Sequence, residues 1–360
     1  MGTVRAALRR RYPGNLLIWR DVAISFAVLL AISLTPAGHA QQAPVTVNLT
    51  ARGETVPVGT AADDAADDPA IWRNSRRPAG SLIVATDKKA GLYVYALDGQ
   101  VRHFVPAGHV NNVDLLDMGS RGVIVVASDR NELARAQLQV YRLNTSVSRL
   151  EPLGAVRGGS SEAYGVCLMQ DGKDLQAFSV LKDGTIEQVA IRLGSGAPAG
   201  RLIRTMRLAT QPEGCVVDPR TQTLYVGEED RGIWAFDARA GGSTEGRLVA
   251  AVDGAQLVAD VEGLALVPSG RRGGWLIASS QGDNSYALYA LPDMKPAGRF
   301  RIAAGVFGAT QETDGIAVAT GSFGPEYPEG LFVAQDGENA PAAQNFKLVS
   351  WRDILRALGR

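Results

Sequence analysis

A polar anchor recurs six times at intervals of about fifty residues, each anchor opens a short β-branched run, and no long amphipathic helix intervenes. Together these observations predict an all-β chain folded as a six-bladed β-propeller. The anchors are Asp67-Asp68-Pro69-Ala70-Ile71, Asn112-Val113-Asp114-Leu115, Tyr164-Gly165-Val166-Cys167, Glu213-Gly214-Cys215-Val216, Glu262-Gly263-Leu264-Ala265 and Asp314-Gly315-Ile316-Ala317. Aligned on Pro69, Val113, Gly165, Gly214, Gly263 and Gly315, successive repeats are 44 to 52 residues apart. Second strands follow, from Leu82-Ile83-Val84-Ala85 in the first repeat to Leu331-Phe332-Val333-Ala334 in the last. Third strands such as Leu92-Tyr93-Val94-Tyr95 and Ile233-Trp234-Ala235-Phe236 come next, all bounded by Gly, Asp or Asn. Fourth strands follow in five repeats, for example Val101 to Val105 and Leu202 to Met206. The sixth repeat has none before a helical cap expected over Trp351 to Leu358. Val45 to Thr50 alternates with period two ahead of the first anchor, and is expected to add to the last blade and close the ring.

Residues 1–40 read as a signal peptide ahead of a single propeller domain over 41–360. Arg5, Arg9, Arg10, Arg11 and Arg20 precede an apolar run from Val22 to Leu34, and Gly38-His39-Ala40 offers a cleavage site. The run is short for a membrane span; a retained anchor or buried helix is the competing reading. The expected location is periplasmic or secreted, with no membrane contact after cleavage. The whole chain balances 37 Lys plus Arg against 37 Asp plus Glu, and loss of five Arg and one Asp with the leader leaves a mildly acidic protein. That charge, with few aromatic residues, excludes a nucleic-acid partner. A monomer is expected. Two cysteines cannot build a disulfide framework or a Cys-rich zinc module. Cys167 and Cys215 stand at opposite parity from their aligned glycines, so as strand residues they are expected to face apart and remain buried free thiols.

In an up-and-down blade, the first strand starts at the end of the ring where the turn between second and third strands lies. Anchors and turn tips should therefore share one mouth. The tips read Asp87-Lys88-Lys89, Asp129-Arg130-Asn131, Lys182-Asp183-Gly184, Glu228-Glu229-Asp230, Gln281-Gly282-Asp283-Asn284 and Asp336-Gly337-Glu338-Asn339. The anchors add Asp64, Asp67, Asp68, Asn112, Asp114, Glu162, Tyr164, Glu213, Asp260, Glu262, Glu312 and Asp314. Cations from the first three repeats and carboxylates from the rest should divide the mouth electrically. Crowded carboxylates repel unless a cation sits among them, and hard oxygen ligands without imidazole or thiolate select Ca²⁺. Lys88, Lys89, Arg130 and Lys182 beside such ions suit a phosphorylated polyanion. Taken singly, each feature is ordinary: an Asp-Gly after a strand is a turn, Lys88-Lys89 a solvated tip, Tyr164 a packing residue. Their specificity lies in recurrence at one face. No Gly-x-Ser-x-Gly elbow, His-Glu-x-x-His pair, phosphate-binding Gly-Lys loop or nucleophilic Cys-x₅-Arg loop is present.

Asp67-Asp68-Pro69-Ala70-Ile71-Trp72, Asn111-Asn112-Val113-Asp114, Glu213-Gly214 with Tyr225-Val226-Gly227-Glu228-Glu229-Asp230, Ala278-Ser279-Ser280-Gln281-Gly282, Gly324-Pro325-Glu326-Tyr327-Pro328 and Leu331 through Asn339 closely resemble the β-propeller (alkaline) phytases. The resemblance spans essentially the whole mature chain. It implies a calcium-dependent phosphomonoesterase of the 3-phytase type, which hydrolyses phytate, or calcium-phytate, to lower inositol phosphates. It also implies a cleavage site and an adjacent phosphate site. By motif, Lys88, Lys89, Arg130, Tyr164 and Lys182 resemble the phosphate-binding group, with Lys88, Arg130, Tyr164, Lys182 and Glu213 taking part in catalysis. Glu54, Asp67, Glu213, Glu229, Asp260, Glu262 and Gln281 resemble ligands of active-site calcium, and Asp68, Asn112, Asp314 and Asp336 resemble calcium sites that stabilise the fold. One departure is the stretch Gly305 to Thr310, which leads to a single acidic turn at Asp314-Gly315 where the family carries two; the missing ligand is absent or supplied by Glu312. The alternatives are a calcium-dependent propeller lactonase or esterase, which needs no basic rim, and a non-catalytic binding propeller, which needs no carboxylate ring.

Overall fold

The computed structural model describes residues 45–61, 64–172 and 174–360; the expected leader lies outside them. Six sheets, antiparallel but for one added edge strand, follow one another along the chain as the blades of a propeller. Their inner strands are Ala66–Trp72, Val110–Asp117, Ala163–Asp171, Pro212–Asp218, Val261–Ser269 and Ile316–Thr320. Neighbouring blades are glued by apolar side chains from facing sheets. Ile83, Ala85 and Tyr95 of blade one meet Leu331, Val333 and Phe346 of blade six, and Phe178 and Val180 of blade three meet Leu224 and Val226 of blade four. The final helix, Trp351–Ala357, drops Trp351 and Ile354 into the core between blades five and six. No helix among the described residues is long and apolar enough to cross a membrane.

Five inner strands carry the same irregularity. Register shifts against the second strand fall between Ala66 and Pro69, Val110 and Val113, Ala163 and Val166, Pro212 and Cys215, and Val261 and Leu264. The two residues inside each bulge are the polar anchor, and a bulge re-aims side chains that a regular ladder would alternate. The shared register also corrects the sequence alignment by one residue: Gly165, Gly214 and Gly263 correspond to Asp68 and Asn112, not to Pro69 and Val113.

Two further expectations are corrected. The strand expected to complete the last blade is observed as Thr46–Thr50, but it runs parallel to Lys295–Ala303 as a fifth strand of blade five. Arg299 Nη1 donates to Thr46 Oγ1 at 3.0 Å, and Val47 and Leu49 pack on the adjacent core. The fourth position of blade six is taken by the next short strand, Gly53–Glu54, antiparallel to Asn345–Ser350. Period-two alternation specifies a strand with one apolar face, not which edge it joins.

The cysteines are not free: Cys167 and Cys215 form a disulfide with Cα atoms 5.8 Å apart. Opposite parity would separate two thiols within one sheet. Consecutive blades, however, stack front to back, so opposite parity is what brings the sulfurs together. A crosslink at a sequence separation of 48 stabilises by roughly 4 kcal/mol in the chain-entropy account.

Candidate active site

The common register places Asp67, Asn111, Tyr164, Glu213 and Glu262 at one equivalent position on five inner strands, and Asp314, just ahead of the sixth, joins them through the backbone bonds of Gly263 N to Asp314 O and Gly315 N to Asp67 O, so they form a ring at one mouth of the propeller. The next residue, Gly165 or Gly214, comes so close to the following blade that a Cβ would collide with the carbonyl oxygen of Glu213 or Glu262. Glycine there lets successive anchors approach. Below the ring, a channel of about 600 Å³ is lined by all six inner strands, including Pro69, Val113, Val166, Cys215, Leu264 and Ile316.

Glu213, Glu229 and Glu262 each bring a carboxylate oxygen within 4.8 Å of the others. Glu213 and Glu262 are buried on inner strands, and Glu229 comes from the tip of blade four. Burial, then Asp67 and Asp314, pushes Glu213 well above the usual carboxylate range. Burial, then Glu213 and Asp314, does the same to Glu262. Glu229 is raised by burial against the lowering effect of Gln211, whose Nε2 donates to Glu229 Oε1 at 2.6 Å and lies 3.3 Å from the Tyr164 hydroxyl. Asn111, fully buried, donates to Glu213 Oε1 at 2.7 Å. Burial, then Glu213 and Glu262, raises the Tyr164 phenol, which stays protonated.

Lys88 is enclosed by acids. Its Nζ contacts Asp64, lies 2.9 Å from Asp314 Oδ2, and lies 3.1 Å from Asp67 Oδ2 outside hydrogen-bonding angles. Burial would lower its pKa, but Asp67 and Asp314 outweigh that and hold it above the ordinary lysine range. Asp314, pushed up to about 7 chiefly by burial, also accepts from Gln281 Nε2 at 2.8 Å. The expected division of charge therefore does not extend into the ring. A buried ammonium needs carboxylates on every side, so Lys88 joins the acids. Lys89, exposed, lies 3.7 Å from Asp64, Arg130 3.4 Å from Glu162, and Lys182 5.0 Å over the Tyr164 ring.

The remaining expected ligands are spread more widely. Asp260 sits at the rim, raised by burial and by Asp230. Asp68 faces the channel and accepts from Val113 N at 3.1 Å. The Asn112 amide, with its nitrogen turned inward, donates to Glu213 Oε1 at 2.9 Å and to the Tyr164 carbonyl at 3.0 Å. Glu54 and Asp336 have Lys347 between them: its fully buried Nζ is 2.7 Å from Glu54 Oε2 and 3.0 Å from Asp336 Oδ2, and it donates to Asn345 Oδ1 and Asn339 Oδ1. Those carboxylates already hold a cation. Glu312 is exposed, its backbone N–H bonded to Asn284 Oδ1. Sequence reasoning did not assign a site role to Asn111 or Gln211. The available signal for Asn111 was its position, one residue before the anchor, matching Tyr164 and Glu213 once the bulges are aligned.

The ring suits a metal. Asp67 Oδ1 and Glu262 Oε2 are buried without a hydrogen-bond donor, an arrangement that is costly unless a cation completes it. The surrounding donors are all hard oxygens.

Comparisons with known proteins agree with this geometry. A family model described as Phytase matches residues 18–360. The chain is 39% identical over 362 aligned residues to a protein of Bacillus subtilis (strain 168) named 3-phytase, covering 94% of each. A solved structure described as BBS1N in complex with ARL6DN resembles it over 74% of each chain at 12% identity and a TM-score of 0.45, too slight a likeness to carry an argument.

Proposed function

The chain belongs to the phytase family and is a phosphoric monoester hydrolase acting on phytate; we propose that it works at the acidic ring, with calcium ions held there and phosphates received by the basic rim. The observation that carries this reading is the meeting of buried, donor-less oxygens of Asp67 and Glu262 with Lys88, Arg130 and Lys182 around one mouth. The same proposal includes the 3-phytase class named for the Bacillus relative, the propeller domain over 41–360 after leader removal, and a monomeric periplasmic or secreted enzyme.

Glu213, Glu229 and Glu262 would hold the ions, with Asp67, Asp314, Asp260 and Gln281 at the edges of the same cluster. When bound, calcium supplies compact positive charge that polarises phosphate oxygens and acidifies a coordinated water. The protein's own groups do the rest. Asn111 and Asn112 fix Glu213 from the second blade, and Gln211 fixes Glu229. Arg130 and Lys182 bind phosphate oxygens and stabilise the charge that builds on them during displacement. Lys88 has three N–H donors facing three aspartates; Asp64, the most exposed of them, is the partner it can exchange for phosphate. Tyr164, kept protonated, donates from its hydroxyl. The disulfide leaves neither cysteine a thiolate to act as nucleophile, and in this proposal that role falls to water.

Phosphate release from phytate, measured with calcium, with chelator and after calcium is restored, tests the proposal alongside Glu213→Gln. Chelation should abolish turnover reversibly, and the variant should lose about 100-fold or more in kcat while remaining folded. Chelator-resistant turnover, or wild-type rates from Glu213→Gln, would refute it.

A further inference from the structure

The ring is assembled from six separate sheets, so its geometry depends on how each inner strand is fastened to the next. Blade one reaches blade two through Asp68 Oδ2, which accepts from Val113 N at 3.1 Å. Blade two reaches blade three through Asp114 Oδ2, which accepts from Leu168 N at 2.8 Å. Val261 N donates to Glu229 O at 3.1 Å across the fourth and fifth blades, Gly263 N to Asp314 O at 2.7 Å across the fifth and sixth, and Gly315 N to Asp67 O at 3.2 Å across the sixth and first. Among the described residues, no hydrogen bond from a backbone N–H joins the inner strands of blades three and four; the bonds to backbone carbonyls across that seam lie further out, where Arg204 of blade three donates to the carbonyls of Asp237, Gly242 and Ser243 and Gln188 to that of Ala238 in blade four. That seam has the close approach of Gly165 to the Glu213 carbonyl and the 3.3 Å contact between Gln211 and Tyr164.

It also has the disulfide. In the bulge-corrected register, Cys167 occupies on blade three the position that Asp114 occupies on blade two. At that position one side chain crosses to the next blade by a hydrogen bond to the backbone and the other by a covalent bond. Cys167 follows Tyr164 by three residues, and Cys215 follows Glu213 by two. Cys215 also lines the channel beneath the ring.

We propose that the Cys167–Cys215 disulfide is a positioning clamp for the reaction: it holds the inner strands of blades three and four at the spacing that sets Tyr164 against Glu213, and so sets the shape of the metal-holding carboxylate cluster. Neither cysteine touches substrate. The inference rests on the proposed roles of Glu213 and Tyr164.

The test is the double variant Cys167→Ala/Cys215→Ala, compared with wild type at a temperature where both have the same near-UV circular dichroism. Two readouts separate a clamp from a general staple: titration with Tb³⁺ as a calcium surrogate, read by tyrosine-sensitised luminescence, and kcat and KM measured separately with phytate at saturating calcium. A clamp predicts roughly 10-fold weaker Tb³⁺ binding and a lower kcat with little change in KM. Equal Tb³⁺ affinity and equal kcat, with only a lower melting temperature, would overturn it. Should the double variant fail to fold, wild type reduced by a phosphine below its melting temperature, with two thiols counted afterwards, gives the same readouts, and the same results support or overturn the clamp. A wild type whose turnover ignores chelator refutes the calcium reading, a result distinct from equality between wild type and variant.

Discussion

Asn111 donates to Glu213 Oε1 at 2.7 Å in a fully buried position, among carboxylates that repel one another. A hydrogen bond to a buried charged group is worth about 1.5–3 kcal/mol, so Asn111→Ala should lower kcat/KM by roughly 10- to 100-fold and raise the calcium concentration needed for half-maximal activity. Asn111→Asp places another carboxylate against Glu213 and should be worse than alanine at low calcium. Steady-state assays over a calcium series check both, and an alanine variant with wild-type constants would remove Asn111 from the site. Most acids of the ring were legible residue by residue, because a carboxylate ahead of a strand in repeat after repeat exceeds what turn chemistry requires. Asn111 was not, because alternation in a regular strand gives no reason to prefer it over Asn112. Lys347 was equally hidden: nothing in its local sequence announces a fully buried ammonium between Glu54 and Asp336.

The inner strand with its bulge is the unit that turns a linear repeat into a ring position. Gly214 sits inside such a bulge, with the Glu262 carbonyl where a Cβ would go. Gly214→Ala must push blade five away or tilt Glu213, at an overpacking cost of about 1–3 kcal/mol. The expected outcome is a folded protein with a denaturation midpoint lowered accordingly and a disproportionate loss of phytate turnover. A variant with the midpoint lowered and turnover intact would show that Glu213 tolerates the shift. Strand positions, turn tips and the repeat count were readable because periodicity and turn residues act locally. Blade-to-blade relations were not. Opposite parity separates side chains such as Cys167 and Cys215 within a sheet but joins them between stacked sheets, and the alternation of Thr46–Thr50 fits the edge of blade five as well as that of blade six.

At the scale of the whole molecule, gathering acids around one axis makes stability depend on pH and metal together. Asp314 and Asp114 are both pushed up to about 7, burial being the main cause, from an ordinary value of 3.8; Glu213 and Glu262 are raised by burial and by their neighbours. Between those two pH values the folded chain binds more protons at these sites than the unfolded chain does, so unfolding free energy falls as pH rises through the window. Asp253 and Asp283 act oppositely: burial works against them, but hydrogen bonds prevail and hold them low, so the stability they contribute is lost only as pH falls below the ordinary carboxylate range. The chelated protein should therefore melt at a higher temperature near about pH 5 than near about pH 7.5. Calcium binds the ionised carboxylates and displaces their protons, so its addition should raise the melting temperature most at the higher pH and flatten or invert the slope. Differential scanning calorimetry at both pH values, with chelator and with calcium, measures all four points. A chelated protein that is more stable at about pH 7.5 than at about pH 5 would mean that the buried acids of the ring are not strained in the way their surroundings require.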